Sequence, residues 1–214
     1  MDTSKEWDRI FSGIEEGIED AWLEHWRHVL DAAGQDSPVL DLGCGDGHDA
    51  LFLTERGFPV IATDFSEKAL EISRRRAPAA KTQNVDLTRG LPFPDASFGI
   101  IVASLSLHYF PWQQTTEILA NVRRCLQPRG HLLARLNSTR DPHYHAVEKQ
   151  PSENNFYLVE GMPKRLFDKQ DLEALFKEGW EILAAEERTT HRYGGQKLAW
   201  EVAAKRVGSR SLRE

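Results

Sequence analysis

Cysteine is nearly missing from this chain. Only Cys44 and Cys125 occur in 214 residues, far apart and without the spacing of a disulfide framework or metal knuckle, which disfavours a cross-linked secreted scaffold. Long apolar runs are missing as well; none approaches the roughly 18–20 residues that cross a bilayer. The opening stretch MDTSKEWDRI lacks the basic and apolar regions of a secretion signal, so the expected setting is a reducing cytoplasm without membrane attachment. An excess of positive charge is absent too. The formal net charge of −6 argues against a nucleic-acid partner, whose binding rests on clustered Lys and Arg. The one basic run, Arg74-Arg75-Arg76, reads as the solvated, dipole-favoured end of a helix. His143 and His145 have no third ligand at a known spacing, and no metal site is expected.

What is present begins with residues 39–53, VLDLGCGDGHDALFL. An apolar run ends at Asp41, passes through a turn containing Gly43, Gly45 and Gly47, and continues with helical spacing. That is a strand, a tight loop and the opening of a helix, with backbone N–H groups presented to a ligand. Asp64 closes a second apolar run about twenty positions beyond the loop, where a carboxylate can accept from both hydroxyls of a ribose. His48 stands where a dinucleotide fingerprint would place its third glycine, and Asp41 and Asp46 put negative charge beside the loop. Carboxylates suit a nucleoside ligand carrying a cationic amino-acid part and repel one carrying phosphates.

Strand-like runs at 38–42, 59–63, 81–86, 98–104 and 131–137 alternate with helical patterns at 47–56, 66–77 and 112–127. This alternation predicts a parallel sheet with helices on both faces. Ser66 is placed to cap the second helix, Pro111 suits the start of the third, and residues 126–130, LQPRG, read as its termination. An amphipathic helical pattern spans 5–33, with a break expected near Gly13 or Gly17. From Ser138 to Lys164 periodicity fails. Asp168 then caps a short helix, and residues 181–189 and 197–204 read as antiparallel strands joined by a turn with Gly194-Gly195.

The glycine loop, Asp64 and this element order resemble the class I S-adenosylmethionine-dependent methyltransferases, and residues 38–136 carry the resemblance. It implies a Rossmann-like α/β fold: a seven-stranded, mostly parallel sheet with helices on both faces and a C-terminal antiparallel hairpin. One domain is expected, with an N-terminal helical cover (1–36), a cofactor-binding core (37–137), a substrate-lid insertion (138–166) and a C-terminal helix and hairpin (167–206).

The resemblance implies S-adenosylmethionine held by Asp41, Gly43, Cys44, Gly45, Asp64, Phe65, Asp86, Leu87 and Ser104. Asp41 meets the methionine ammonium or braces the loop. Phe65 lies on the adenine or joins the core. Asp86 takes the adenine amino group or caps its own loop, with the Leu87 N–H approaching the ring. Cys44 reads as a small loop residue, not a nucleophile.

The segment after the fourth strand, Ser106-Leu107-His108-Tyr109-Phe110, lacks the Asn/Asp-Pro-Pro-Tyr/Phe motif of nucleobase amino-methyltransferases and is similar to small-molecule methyltransferases. His108 reads as a general base or as packing beside the loop. Trp7, Phe11, His108, Tyr109, Tyr157 and Arg165 are the candidate contacts to a small-molecule acceptor. The ends of the chain are similar to tellurite-resistance-type and thiopurine-type enzymes. An RNA or protein methyltransferase, and a non-catalytic nucleotide-binding protein or NAD-dependent oxidoreductase, are the competing readings.

Overall fold

A computed structural model describes residues 3–12, 21–144, 153–159, 161–190 and 196–208. Helices α1 (Thr3–Ser12), α2 (Trp22–His25) and α3 (Arg27–Ala33) precede strand β1 (Val39–Leu42). Then come α4 (His48–Glu55), β2 (Val60–Asp64), α5 (Glu67–Arg76), β3 (Lys81–Asn84), β4 (Phe98–Ser104), α6 (Trp112–Cys125) and β5 (Leu126–Asn137). A hairpin of β6 (Phe156–Val159) and β7 (Met162–Arg165) is followed by α7 (Lys169–Leu175), β8 (Trp180–Thr190) and β9 (Lys197–Arg206).

One seven-stranded sheet has the order β3-β2-β1-β4-β5-β9-β8. Its first five strands run parallel; β9 pairs antiparallel with β5, and β8 antiparallel with β9. The strand order reverses between β1 and β4. A crevice therefore opens at their carboxyl ends, and ligands of such sheets bind in it.

Alternation along the strands fills two cores. Leu40, Leu42, Ile101, Ala103, Leu132 and Leu136 pack towards α6 and α7. Val39, Ile100, Val102 and Leu133 face the other way, towards α2, α3, α4 and α5. No described helix is long and apolar enough to cross a membrane.

Local chemistry sets several boundaries as expected. The Ser66 hydroxyl accepts the Ala69 N–H at the start of α5, and Asp168 and Asp171 form a reciprocal capping box on α7. Other expectations need correction. The N-terminal pattern is divided among three helices, with a break at Trp26 where the chain turns to send its indole N–H to Glu201 at 3.1 Å. Residues 13–20, where the Gly13 or Gly17 break was expected, lie outside the described residues, as does the Gly194-Gly195 turn.

Residues 126–130 do end α6, but they are also the first part of β5, which was expected to begin at 131. The register against β4 shifts between Phe98 and Ile100, and Arg129 takes φ +67°. A bulge of this kind tolerates Pro128. The span 138–164 is likewise not wholly irregular: β6 and β7 pair within it, Tyr157 opposite Lys164.

Candidate active site

The carboxyl ends of β1 and β2 hold the glycine loop. Gly43, Gly45 and Gly47 all have positive φ, at +73°, +54° and +84°. A Cβ on Gly43 would lie 2.4 Å from Ser106 Cβ, and one on Gly47 would lie 2.8 Å from Ser73 Cα. Glycine is required there by conformation and by space. The Gly43 and Cys44 N–H groups both donate to Thr63 O at 2.8 Å, tying the loop to β2.

Asp64 receives the Gly45 N–H on Oδ2 and the Ser66 N–H on Oδ1, each at 2.9 Å. Part of its roughly four-lone-pair capacity therefore remains for hydroxyl donors. Burial raises its pKa above the ordinary 3.8, and the backbone donors oppose that rise. Asp41 is buried, and its charge, after burial itself, helps hold the Cys44 thiol well above 9.0 and hence protonated.

Asp46 has a role the sequence did not reveal. Its buried carboxylate meets Arg76 at 2.7 Å and His48 Nδ1 at 2.9 Å, and Arg76 also donates to Asp46 O at 2.8 Å. Arg76 is thus a brace for the loop, unlike the solvated helix end expected of the arginine run.

The remaining expected cofactor contacts fall around this loop. Phe65 is half-buried, and its carbonyl accepts from Asn84 at 3.1 Å. Asp86 Oδ1 accepts the Thr88 N–H and hydroxyl at 2.9 and 2.7 Å, a local loop cap beside a cavity of about 300 Å³ that Asn84, Leu91 and Asn121 also line. Leu87 packs on the core, and Ser104 Oγ accepts from Arg135 Nε at 2.9 Å.

The ends of β4 and β5 form the other wall. Leu105 has φ +54°, a backbone conformation retained for a non-glycine residue only under tertiary constraint, and its N–H donates to Arg135 O. This turn sets Ser106 against Gly43 and drives His108 into the interior, 2 % exposed. Burial first, then the charges of Lys164 and Lys197, hold His108 well below its ordinary 6.5, in the neutral form.

The Tyr109 and Trp7 rings meet in a T-shaped pair at 4.8 Å between centroids, the Lys164 ammonium lies 4.2 Å from the Tyr109 ring centre, and Lys164 Nζ lies 3.1 Å from Tyr109 Oη. Phe11 is buried beside Trp7, and Asp8 on the same helix accepts from the Ser66 hydroxyl and the Lys68 N–H. Helix α1 therefore bridges the β2 and β4 ends of the crevice.

Tyr157 lies across the β6–β7 hairpin from Lys164, whereas Arg165 is buried and engaged within the protein. Its guanidinium donates to Phe110 O at 3.1 Å and Asn154 O at 3.3 Å, pairs with Glu153, and lies over the Trp112 and Phe156 rings. Asn137, which sequence reasoning passed over, is buried at the end of β5, and neither of its amide atoms has a hydrogen-bond partner. His145 lies outside the described residues.

Residues 39–130 match a family described as a methyltransferase domain, the segment that carries the glycine loop, Asp64 and the reversal of strand order. Over these residues the chain is similar to known methyltransferases, and its fold is that of solved S-adenosylmethionine-dependent methyltransferases. A demethylmenaquinone methyltransferase of Listeria welshimeri is 29% identical over 136 residues, which are 60% of this chain and 56% of that protein. The chain spans about half the length of the curated relatives it matches.

Among solved structures, an S-adenosylmethionine-dependent methyltransferase of Methanosarcina mazei superposes with a TM-score of 0.76 at 19% identity, covering 84% of this chain and 97% of that one. The 1,6-didemethyltoxoflavin-N1-methyltransferase of Burkholderia thailandensis, solved with 1,6-didemethyltoxoflavin and S-adenosylhomocysteine bound, gives 0.69 at 15% identity over 96% of this chain and 84% of that one. The family's cofactor, S-adenosylmethionine, suits the chemistry on this side of the crevice: a glycine cradle that a Cβ would fill, and a carboxylate with acceptor capacity to spare.

Proposed function

We propose that this protein transfers a methyl group from S-adenosylmethionine to a small-molecule acceptor, as a single domain acting in the cytoplasm. The observation that carries the acceptor class is the pair of buried polar side chains, His108 and Asn137, at the carboxyl ends of β4 and β5. The Trp7, Tyr109, Lys164 and Tyr157 cluster stands beside them, contributed by α1 and the β6–β7 hairpin. Buried polar groups beside aromatic side chains suit a small organic molecule better than a polymer. Two of the proteins named above, the demethylmenaquinone and 1,6-didemethyltoxoflavin methyltransferases, carry the names of small molecules, and the net charge of −6 gives nucleic acid little to bind.

When bound, the cofactor supplies an electrophilic methyl group on a sulfonium. Asp64 engages the ribose hydroxyls, Gly43, Cys44 and Gly45 admit the ligand close to the backbone, and Asp41 stands near the amino-acid part. Phe65, Asp86, Leu87 and Ser104 complete that side. The protein's contribution is to orient the acceptor and exclude water, which suffices for an in-line displacement. Titration with S-adenosylmethionine, S-adenosylhomocysteine and NAD, followed by a labelled-methyl screen of small acceptors, RNA and protein, tests the proposal. Preference for NAD, or methylation of RNA or protein with no small acceptor turned over, would overturn it.

A further inference from the structure

Buried polar atoms without partners in the protein are places where a ligand can supply hydrogen bonds, since leaving them unmatched is strongly disfavoured. At the acceptor end these atoms include His108 Nδ1, the Ser106 hydroxyl, both ends of the Asn137 amide and Asp141 Oδ2. Asn137 pairs with Ala199 on β9, and Lys197 lies two residues before Ala199 in that strand, on the same side of the sheet. Half-buried Lys164 approaches from β7, with its ammonium at Tyr109 Oη.

Other charges near this end come from several elements. Arg135 of β5 is bound to Ser104 and Thr190, and Arg165 of β7 to Glu153. Asp41 acts on Cys44 in the glycine loop, Asp141 accepts the His143 N–H, and Asp8 of α1 is turned onto α5. Among the described residues, the charges that act on His108 are those of the Lys164 and Lys197 ammonium groups.

We infer, resting on the methyltransferase reading above, that the acceptor is a small acidic hydroxyl or thiol compound, bound through His108 and Asn137 beside Lys164 and Lys197, and methylated as a preformed anion. His108 is then a hydrogen-bonding partner, not the base. The field of the two lysines that opposes protonation of the imidazole favours ionisation of the acceptor. The acceptor's proton leaves to solvent as it binds. A lone pair of the anion forms the new bond to the methyl carbon while the donor's S–C bond breaks, and the anionic and sulfonium charges cancel.

Absorbance titration of the full chain, saturated with S-adenosylhomocysteine, with para-nitrophenol reads the ionised fraction of the bound dye directly. Its neutral methyl ether, para-nitroanisole, is the control. The expected result is a bound-dye pKa lowered by about one unit, a tenfold change in ionisation, with the phenolate bound roughly tenfold more tightly than the ether. Lys164→Met combined with Lys197→Met removes both effects while S-adenosylhomocysteine affinity is retained. His108→Asn weakens dye binding but leaves the lowered ionisation in place.

Equal or tighter binding of the ether, an unmoved dye pKa, absence of dye binding, or loss of the shift in His108→Asn would each overturn the inference. The ether comparison decides in the unaltered protein even if the lysine variants fail to fold. Failure to bind S-adenosylhomocysteine at all would overturn the methyltransferase reading, and this inference with it.

Discussion

At the β1–β2 end of the crevice, Asp46 is met by Arg76 and His48, Asp64 by two backbone N–H groups, and the loop amides by Thr63 O. At the β4–β5 end, Ser106, His108 and Asn137 keep buried polar atoms without partners. The first half is braced from within, so its shape does not depend on a ligand. The second is left for a ligand to complete. A shared cofactor allows the first arrangement, while the second makes the acceptor's chemistry part of the site.

The contrast breaks most severely at Arg76. Arg76→Met leaves the buried Asp46 carboxylate without its nearest cation and should destabilise the protein by about 3–5 kcal/mol. Urea denaturation checks this, with Asp46→Asn added to the same chain recovering part of the loss. A change under about 1 kcal/mol would show that the brace is not structural.

Gly43→Val comes next. The new Cβ collides with Ser106 at a positive φ, and cofactor affinity should fall roughly 100-fold, about 3 kcal/mol. Calorimetric titration with S-adenosylhomocysteine measures it, and wild-type affinity would reduce the loop to an ordinary turn.

Asp64→Asn removes the charge from the hydrogen bonds to the ribose and should weaken binding by about 1.5–3 kcal/mol. In the unaltered protein the ionised carboxylate binds best. Affinity should therefore decline as pH falls through the Asp64 pKa, beginning above the ordinary 3.8 because burial raises that pKa. The Asn variant should lack this decline. Parallel pH profiles would separate Asp64 from the ribose.

The smallest effect sharpens the acceptor half. His108 is held neutral in the folded state and titrates near 6.5 when unfolded, so the unfolded chain binds more protons below that value. Stability should fall as pH drops through 6.5 towards the folded value, by roughly 1 kcal/mol per pH unit. His131, lowered by burial and by Lys205, adds a slope of the same sign that His108→Asn leaves behind. An acid slope unchanged in His108→Asn would mean that His108 can take up a proton where it stands.

The parallel half of the fold was legible because strands and helices carry different periods, and because Ser66 and Asp168 act through hydrogen bonds to residues three positions away. The glycine loop was legible for a related reason: positive φ and close approach leave glycine little substitute. What stayed hidden depends on distant partners. Arg76 looked like one member of a basic run, and its partner Asp46 is thirty residues away. The β6–β7 strands are only four residues each, too short to establish a period, and Arg165 attaches them to Phe110. Asn137 is a single polar residue at the end of an apolar strand, and its significance lies in contacts that the protein does not make.

The anchoring of Arg165 also bears on traffic through the crevice. Peeling the β6–β7 hairpin away would take the Arg165 guanidinium from the Phe110 carbonyl and the Trp112 ring, and Glu153 from the Trp112 N–H. Lifting α1 would separate one ring edge, expose Phe11, and release an Asp8 carboxylate and α5 donors that water can satisfy. The easier doorway is therefore on the α1 side, where Asp8 sits close enough to Asp64 to add to its raised pKa. A single port would then serve both ligands, and departure of the spent methyl donor would open the β4–β5 end of the crevice to solvent in the same movement.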